Sequence, residues 1–294
     1  MSRLLALNLP PRLREYGLLM RLDRPIGTLL LLWPCLWALW IADAGRPEPT
    51  VVAVFVAGVF LMRSAGCVIN DFADREFDPH VARTRERPLA ARRVRPEEAF
   101  KLFIVLCLVA FALVLTQNSM TILLSVPAVL LAASYPYMKR FHSLPQVHLG
   151  AAFGWAVPMA FAALTETIPP AAWLLFAVAV VWAVAYDTMY AMVDRDDDLS
   201  VGVKSAAILF GRFDRLAVGG AQCAVLIGLF LLGWAAGLGI VYQFSVVVGA
   251  GLFAYQQWLI RDREGGSCFR AFLNNNWFGG VVFAGIVLDF LLRA

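Results

Sequence analysis

The chain has 294 residues, of which 61% are hydrophobic and only 16% charged, with a formal net charge of +4. Soluble domains carry about 25% charged residues, so this composition, with a mean hydropathy of +0.71, excludes a soluble globular protein, and no nucleic-acid partner is expected. It reads as an all-α polytopic membrane protein, in which no segment between apolar runs is long enough to fold alone.

The first apolar run, residues 3–9, is short and is broken by Pro10-Pro11 before any small-residue cleavage site, so no cleaved signal peptide is expected. Residues 12–22 alternate Leu and Met with Arg and Glu. This pattern predicts an amphipathic helix at the membrane surface, in a cytoplasmic arm of residues 1–25, with a disordered arm as the alternative. Apolar segments follow at residues 26–44, 51–69, 99–116, 119–134, 147–164, 171–190, 216–237, 241–260 and 276–292. They predict about nine transmembrane helices in a single domain over residues 26–294. Several are short for a straight crossing, and Pro34, Pro127 and Pro158 fall inside spans, so tilted, kinked or broken helices are expected.

Lysine and arginine divide unequally between the two sides of such a bundle. The side of the N-terminal arm carries 22 and the other only Arg46 and Arg293, with Arg63 inside the second span. The positive-inside rule places the N-terminus and the long charged loops in the cytoplasm. A weak internal repeat accompanies this arrangement. The first and fifth spans each pair a tryptophan with a proline (Trp33-Pro34; Trp155 and Pro158), and the second and sixth each end in aspartates four residues apart. It suggests two four-helix halves plus a final helix, chance similarity among apolar segments being the alternative.

Those aspartates, Asp74/Asp78 and Asp194/Asp198, are the main candidates for chemistry. At 3.6 residues per turn, Asn70, Asp74 and Asp78 are expected on one helical face, and Asp187, Asp194 and Asp198 on another. Brought together, the two faces supply five carboxylates and one amide, more negative charge than a low-dielectric site holds unneutralised. Hard oxygen donors suit Mg2+, which keeps waters and bridges carboxylates to substrate phosphates. The implied reaction loses a diphosphate leaving group, with the metal absorbing the developing charge. Glu76, Asp196 and Asp197 read instead as solvated helix-end charges. An ion or proton pathway is the competing use of the same carboxylates. An EF-hand does not fit: counting from Asp194, Leu199 stands where glycine is required and Ser205 where glutamate is. No GxxxxGK[ST] loop is present, which argues against a nucleotide-driven pump.

Arg63 precedes Asn70 by two turns on the same face and needs an anionic partner within the bilayer. Asp187 is either that partner or a group that orients a substrate hydroxyl. Lys139 and Arg140, after Tyr135-Pro136-Tyr137-Met138, either hold a diphosphate or carboxylate or are ordinary positive-inside anchors. The same two readings apply to Arg83, Arg85, Arg87 and Lys204. The five cysteines occur singly and the three histidines show no ligand spacing, so all eight are assigned to packing or solvation.

Taken together, Asn70-Asp71-x-x-Asp74-x-x-x-Asp78, Arg83-Thr84-Arg85-Glu86-Arg87-Pro88-Leu89 and Tyr186-Asp187 through Asp194-x-x-x-Asp198 resemble the UbiA family of intramembrane aromatic prenyltransferases. Asp23-Arg24-Pro25-Ile26-Gly27-Thr28, Leu32-Trp33-Pro34, Tyr135 through Arg140 and Phe272-Leu273-Asn274-Asn275-Asn276 extend the likeness over nearly the whole chain, toward the branch that acts on 4-hydroxybenzoate. The resemblance implies nine transmembrane helices around a central cavity in a bacterial inner membrane, in contact with membrane lipid, with the active site facing the cytoplasm. It implies Mg2+ and transfer of a polyprenyl group from polyprenyl diphosphate to the ring carbon ortho to the hydroxyl of 4-hydroxybenzoate, in ubiquinone biosynthesis. A UbiA-type enzyme with a naphthoate or haem acceptor, and a transporter, are the alternatives. Carried over, Asn70, Asp74, Asp78, Asp194 and Asp198 would hold the metal and diphosphate. Asp187, Arg63 and Arg140 would be catalytic, and Lys139, Tyr186, Arg24 and Lys204 would bind substrate.

Overall fold

The structure is a computed structural model that describes residues 10–80, 84–141, 143–195, 198–199 and 204–293. Among these residues the regular elements are all helical: α1 (Pro11–Leu19), α2 (Ile26–Ala42), α3 (Pro49–Ala73), α4 (Pro96–Val114), α5 (Ser119–Ser134), α6 (Pro145–Gly154), α7 (Ala156–Thr165), α8 (Pro170–Val193), α9 (Ala206–Phe210), α10 (Asp214–Ala235), α11 (Ile240–Leu259) and α12 (Gly265–Arg293). Five of them, α1, α3, α4, α6 and α8, begin on a proline, whose fixed φ and missing N–H suit a first helical turn.

Each of the nine apolar segments falls on a helix or a helix pair. Six helical stretches among the described residues are long and apolar enough to cross a membrane, and α2 is a shorter apolar helix. The chain is therefore a multi-pass membrane protein, while nine full crossings are more than length and composition establish. Leu123, Trp234, Ile240 and Phe244 are among the large apolar side chains left on the surface, an arrangement suited to a lipid surround.

The span over residues 147–164 is two helices, α6 and α7, that meet at Trp155. Pro158 has no N–H for the carbonyl of Gly154, four residues back, so the break falls one turn before it. Pro34 and Pro127 stay inside their helices. The last helix begins at Gly265 rather than near the expected residue 276, because its asparagines are satisfied within the bundle. Asn275 is fully buried; it donates to the carbonyls of Ala271 and Phe272 and accepts from Trp182 Nε1 at 2.9 Å. Asn276 accepts from Trp33 Nε1 at 3.0 Å, and Trp37 Nε1 donates to the Gly279 carbonyl at 3.1 Å. Gly279 permits this approach, since a Cβ there would collide with the Trp33 ring. Trp37 and Trp182 stack at 5.2 Å, so tryptophans on α2 and α8 lock both helices onto α12.

A second core lies beneath the first aspartate motif. Leu19, Ala65, Val68, Ile69, Leu89, Val94, Ala99 and Phe103 pack together, joining α1, the end of α3, the charged loop and the start of α4. Helix α1 is held there by Tyr16, whose hydroxyl donates to Glu98 at 2.9 Å, and by an Arg93–Glu15 ion pair at 2.9 Å. Helix α1 is thus docked on the bundle end that carries the aspartates.

Candidate active site

Helices α3 and α8 stop at corresponding aspartates. Asp74 caps α3 with φ −94° and ψ 4°, and Asp194 caps α8 with φ −94° and ψ 6°. The expected continuous helical stripes therefore end at Ala73 and Val193. The four-residue spacing survives in a turn: Asp78 N–H donates to the Asp74 carbonyl at 2.9 Å, and Asp198 N–H to the Asp194 carbonyl at 2.8 Å. Each pair stands at a helix C-terminus, where the dipole disfavours negative charge. The matching corners on α3 and α8 agree with the two-half reading of the sequence.

Both corners face one cavity of about 480 Å3, a size usual for small-molecule sites. Its wall includes Asn70, Asp74, Asp78, Asp194 and Asp198 together with Arg63, Tyr186, Asp187, Arg24 and Lys204. Among the described residues it is lined by eight carboxylates against five cationic side chains, so it favours a cation. No three metal-type side chains close into a preformed cage among the described residues. The donors are nevertheless hard oxygens, and Mg2+ commonly completes its octahedron with water and substrate phosphate. The set fits that ion.

The individual placements refine the expectations. No Arg63–Asp187 ion pair within 4.0 Å forms among the described residues. Arg63 instead lies over the Phe153 ring at 5.6 Å, in space that Gly27 leaves open. Asp187 shares the cavity wall with Gln146. The ion-pair reading of Asp187 gives way because Arg63 has the Phe153 ring as its contact. Tyr186 is buried edge-on against Trp182, 5.6 Å between centroids, and presents one side to the cavity. Arg24 is largely exposed, 3.7 Å from Asp23, and Lys204 is exposed on the same wall. Arg140 does not reach the cavity wall. Its guanidinium donates to the Ala73 carbonyl at 2.7 Å, beside the Phe77 and Tyr137 rings, so it braces the end of α3 immediately before Asp74. The Lys139 side chain, Arg83, Asp196 and Asp197 lie outside the described residues.

The sequence reading passed over two functional features. Asp71, 1% exposed, is held by Arg21 at 2.8 Å and by Arg87 at 3.2 Å; Arg87 also donates to Asp78 at 2.9 Å. Burial pushes the Arg87 pKa down, but Asp71 and Asp78 outweigh it and hold the guanidinium above its ordinary value. Arg21 reaches Asp71 from a left-handed turn, φ +58°, uncommon for a residue with a side chain. The buried position of Asp71, between Asn70 and Asp74 in sequence, carried no signal separating it from a metal ligand. The second feature is Gln146, a lone polar residue just inside α6. An equivalent brace stands at the second corner, where buried Asp214 binds Arg263 at 2.7 Å and Arg195 at 3.5 Å.

A membrane-embedded helical bundle with a carboxylate-lined cavity at its charged end is an architecture suited to an integral membrane enzyme. The UbiA prenyltransferase family model matches residues 31–285, and the chain belongs to that family. It is 61% identical over 275 residues to a 4-hydroxybenzoate octaprenyltransferase of Alkalilimnicola ehrlichii, covering 94% of each chain. It is 62% identical over 280 residues to the protein of that name from Nitrosococcus oceani, covering 95% of this chain and 98% of the relative. Among solved structures, the apo UbiA homologue of Aeropyrum pernix K1 matches with a TM-score of 0.79 and 26% identity, covering 89% of this chain and 97% of that one. The Archaeoglobus fulgidus UbiA homologue bound to GPP and Mg2+ shares the fold, with a TM-score of 0.72 at 17% identity and coverage of 92% and 99%.

Proposed function

We propose that this chain transfers a polyprenyl group from polyprenyl diphosphate to the ring carbon ortho to the hydroxyl of 4-hydroxybenzoate, releasing diphosphate, as a step of ubiquinone biosynthesis. The observation that carries the reading is the meeting of both aspartate corners with Arg63 and Asp187 in one cavity. The relatives' names support the acceptor. Asn70, Asp74, Asp78, Asp194 and Asp198 would hold Mg2+, which supplies positive charge to the departing diphosphate. Arg24 and Lys204 add cations at the mouth that hold the same group, and the family resemblance assigns Lys139 to the same substrate. Arg63 takes the acceptor carboxylate and Asp187 lies against the ring, together fixing it against the allylic carbon. The allylic C–O bond breaks with its electron pair going to diphosphate. The ortho carbon then attacks the cation, and the ring proton leaves. Leu30, Leu149, Phe153 and Phe272 on the wall keep water from the carbocation. Arg140 acts on this chemistry through the α3 end it braces.

In this reading residues 26–294 form the prenyltransferase domain and residues 1–25 a cytoplasmic arm that helps to close it. The arginine and lysine distribution supports an inner-membrane protein whose site faces the cytoplasm. Purified protein in detergent, given Mg2+, 4-hydroxybenzoate and a polyprenyl diphosphate, is expected to yield a prenylated benzoate by mass spectrometry. Absence of that product where the membranes themselves are active overturns the assignment, and product only from a naphthoate or haem replaces the acceptor.

A further inference from the structure

We propose that Gln146 binds the phenolic hydroxyl of the acceptor and so determines which aromatic acid the site accepts. The inference rests on the 4-hydroxybenzoate reading above and adds a residue outside its motifs. Gln146 sits in the first turn of α6, directly after Pro145, and is 3% exposed. It shares the cavity wall with Leu149, Phe153, Tyr186 and Asp187.

The side-chain carbonyl of Gln146, Oε1, is buried and has no hydrogen-bond partner among the described residues. A buried carbonyl left unpaired is costly, and this one belongs to a residue on the cavity wall.

The group that completes it must be a donor. Ionised diphosphate offers only acceptors, and so does the ionised carboxylate of the aromatic acid. The phenolic O–H is the one donor that either substrate brings. The placement of the other anchor agrees. Phe153, over which Arg63 lies, follows Gln146 on α6 by seven residues, two turns on the same face. Along the helix axis that is about 10 Å, which spans a benzene ring with polar groups at its para positions. Arg63 then takes the carboxylate and Gln146 reads the hydroxyl at the opposite end.

The test compares ligands with and without a para donor. Dissociation constants of 4-hydroxybenzoate, 4-aminobenzoate, 4-methoxybenzoate and benzoate are measured by calorimetry on the full chain in detergent, with Mg2+ and inorganic diphosphate present. The wild type is expected to favour the hydroxy and amino acids over the other two by about tenfold or more, since a site built for a donor rejects analogues that lack it. Gln146→Met keeps the length and removes the acceptor. It is expected to bring all four within about threefold of one another, because a para donor then finds no acceptor. A wild type that binds the four alike overturns the proposal without any variant. A preference that persists in a Gln146→Met protein of normal melting temperature also overturns it. Failure of 4-hydroxybenzoate to bind the wild type at all removes the substrate reading and the inference with it.

Discussion

Asp74 and Asp194 end their helices in one conformation, and each places a carboxylate where the helix dipole is already negative. That local cost is offset if a cation binds, which makes these two residues the most sensitive probes of the site. Asp74→Asn or Asp194→Asn is expected to lower turnover by at least about 100-fold, with expression and melting temperature in detergent unchanged. Full activity in both variants would remove the metal role. Asp71 is expected to behave differently. Its charge is shared between Arg21 and Arg87, and Arg87 also contacts Asp78. Asp71→Asn leaves one more positive charge beside a metal-facing carboxylate. It is expected to raise the Mn2+ concentration for half-saturation, read by electron paramagnetic resonance, about three- to tenfold. An unchanged midpoint would mean that Asp71 has no influence on the ion.

Among the elements, α12 shows most clearly how polar side chains assemble this bundle. Asn275 and Asn276 receive tryptophan N–H groups from α8 and α2, while Gln222, Gln256 and Asn274 form a chain of amide hydrogen bonds across α10, α11 and α12. Asn275→Ala strands the buried Trp182 N–H and is expected to cost about 1–3 kcal/mol. The melting temperature in detergent should fall, with the Mg2+ dependence of activity unaltered; an unchanged melting temperature would contradict this. These contacts also show what the sequence conveyed. The apolar runs located the helices because hydropathy needs no partner to be read. The helix α12 starts upstream of the apolar run because Asn274-Asn275-Asn276 lowers the hydropathy there, while Trp182 and Trp33 satisfy Asn275 and Asn276 within the bundle. Kinked or broken helices were expected at Pro34, Pro127 and Pro158, and a helix break falls before Pro158 alone. The ends of α3 and α8 were not anticipated, since acidic residues four apart suit a helix and a turn equally well.

Over the whole molecule, the fold and the site were legible to different depths. Sparse charge in an apolar chain made the aspartates conspicuous. Their motif spacing carried the family, and the arginine and lysine imbalance carried an orientation. Gln146 and the Arg21–Asp71–Arg87 link were illegible, because each depends on segments distant in sequence meeting at the cavity. The orientation can be checked with single cysteines in an otherwise cysteine-free chain. One replacing Lys204 should react with a membrane-impermeant maleimide only after cells are opened, and one replacing Arg46 in intact spheroplasts; the reverse pattern would invert the topology. The most direct measurement for the whole reading is formation of prenylated 4-hydroxybenzoate by metal-stripped protein, with and without Mg2+ restored. Product is expected only with the ion, and never from Asp74→Asn, Asp194→Asn protein. Equal yield in excess chelator, or product from the doubly substituted chain, would contradict a site built on the two aspartate corners.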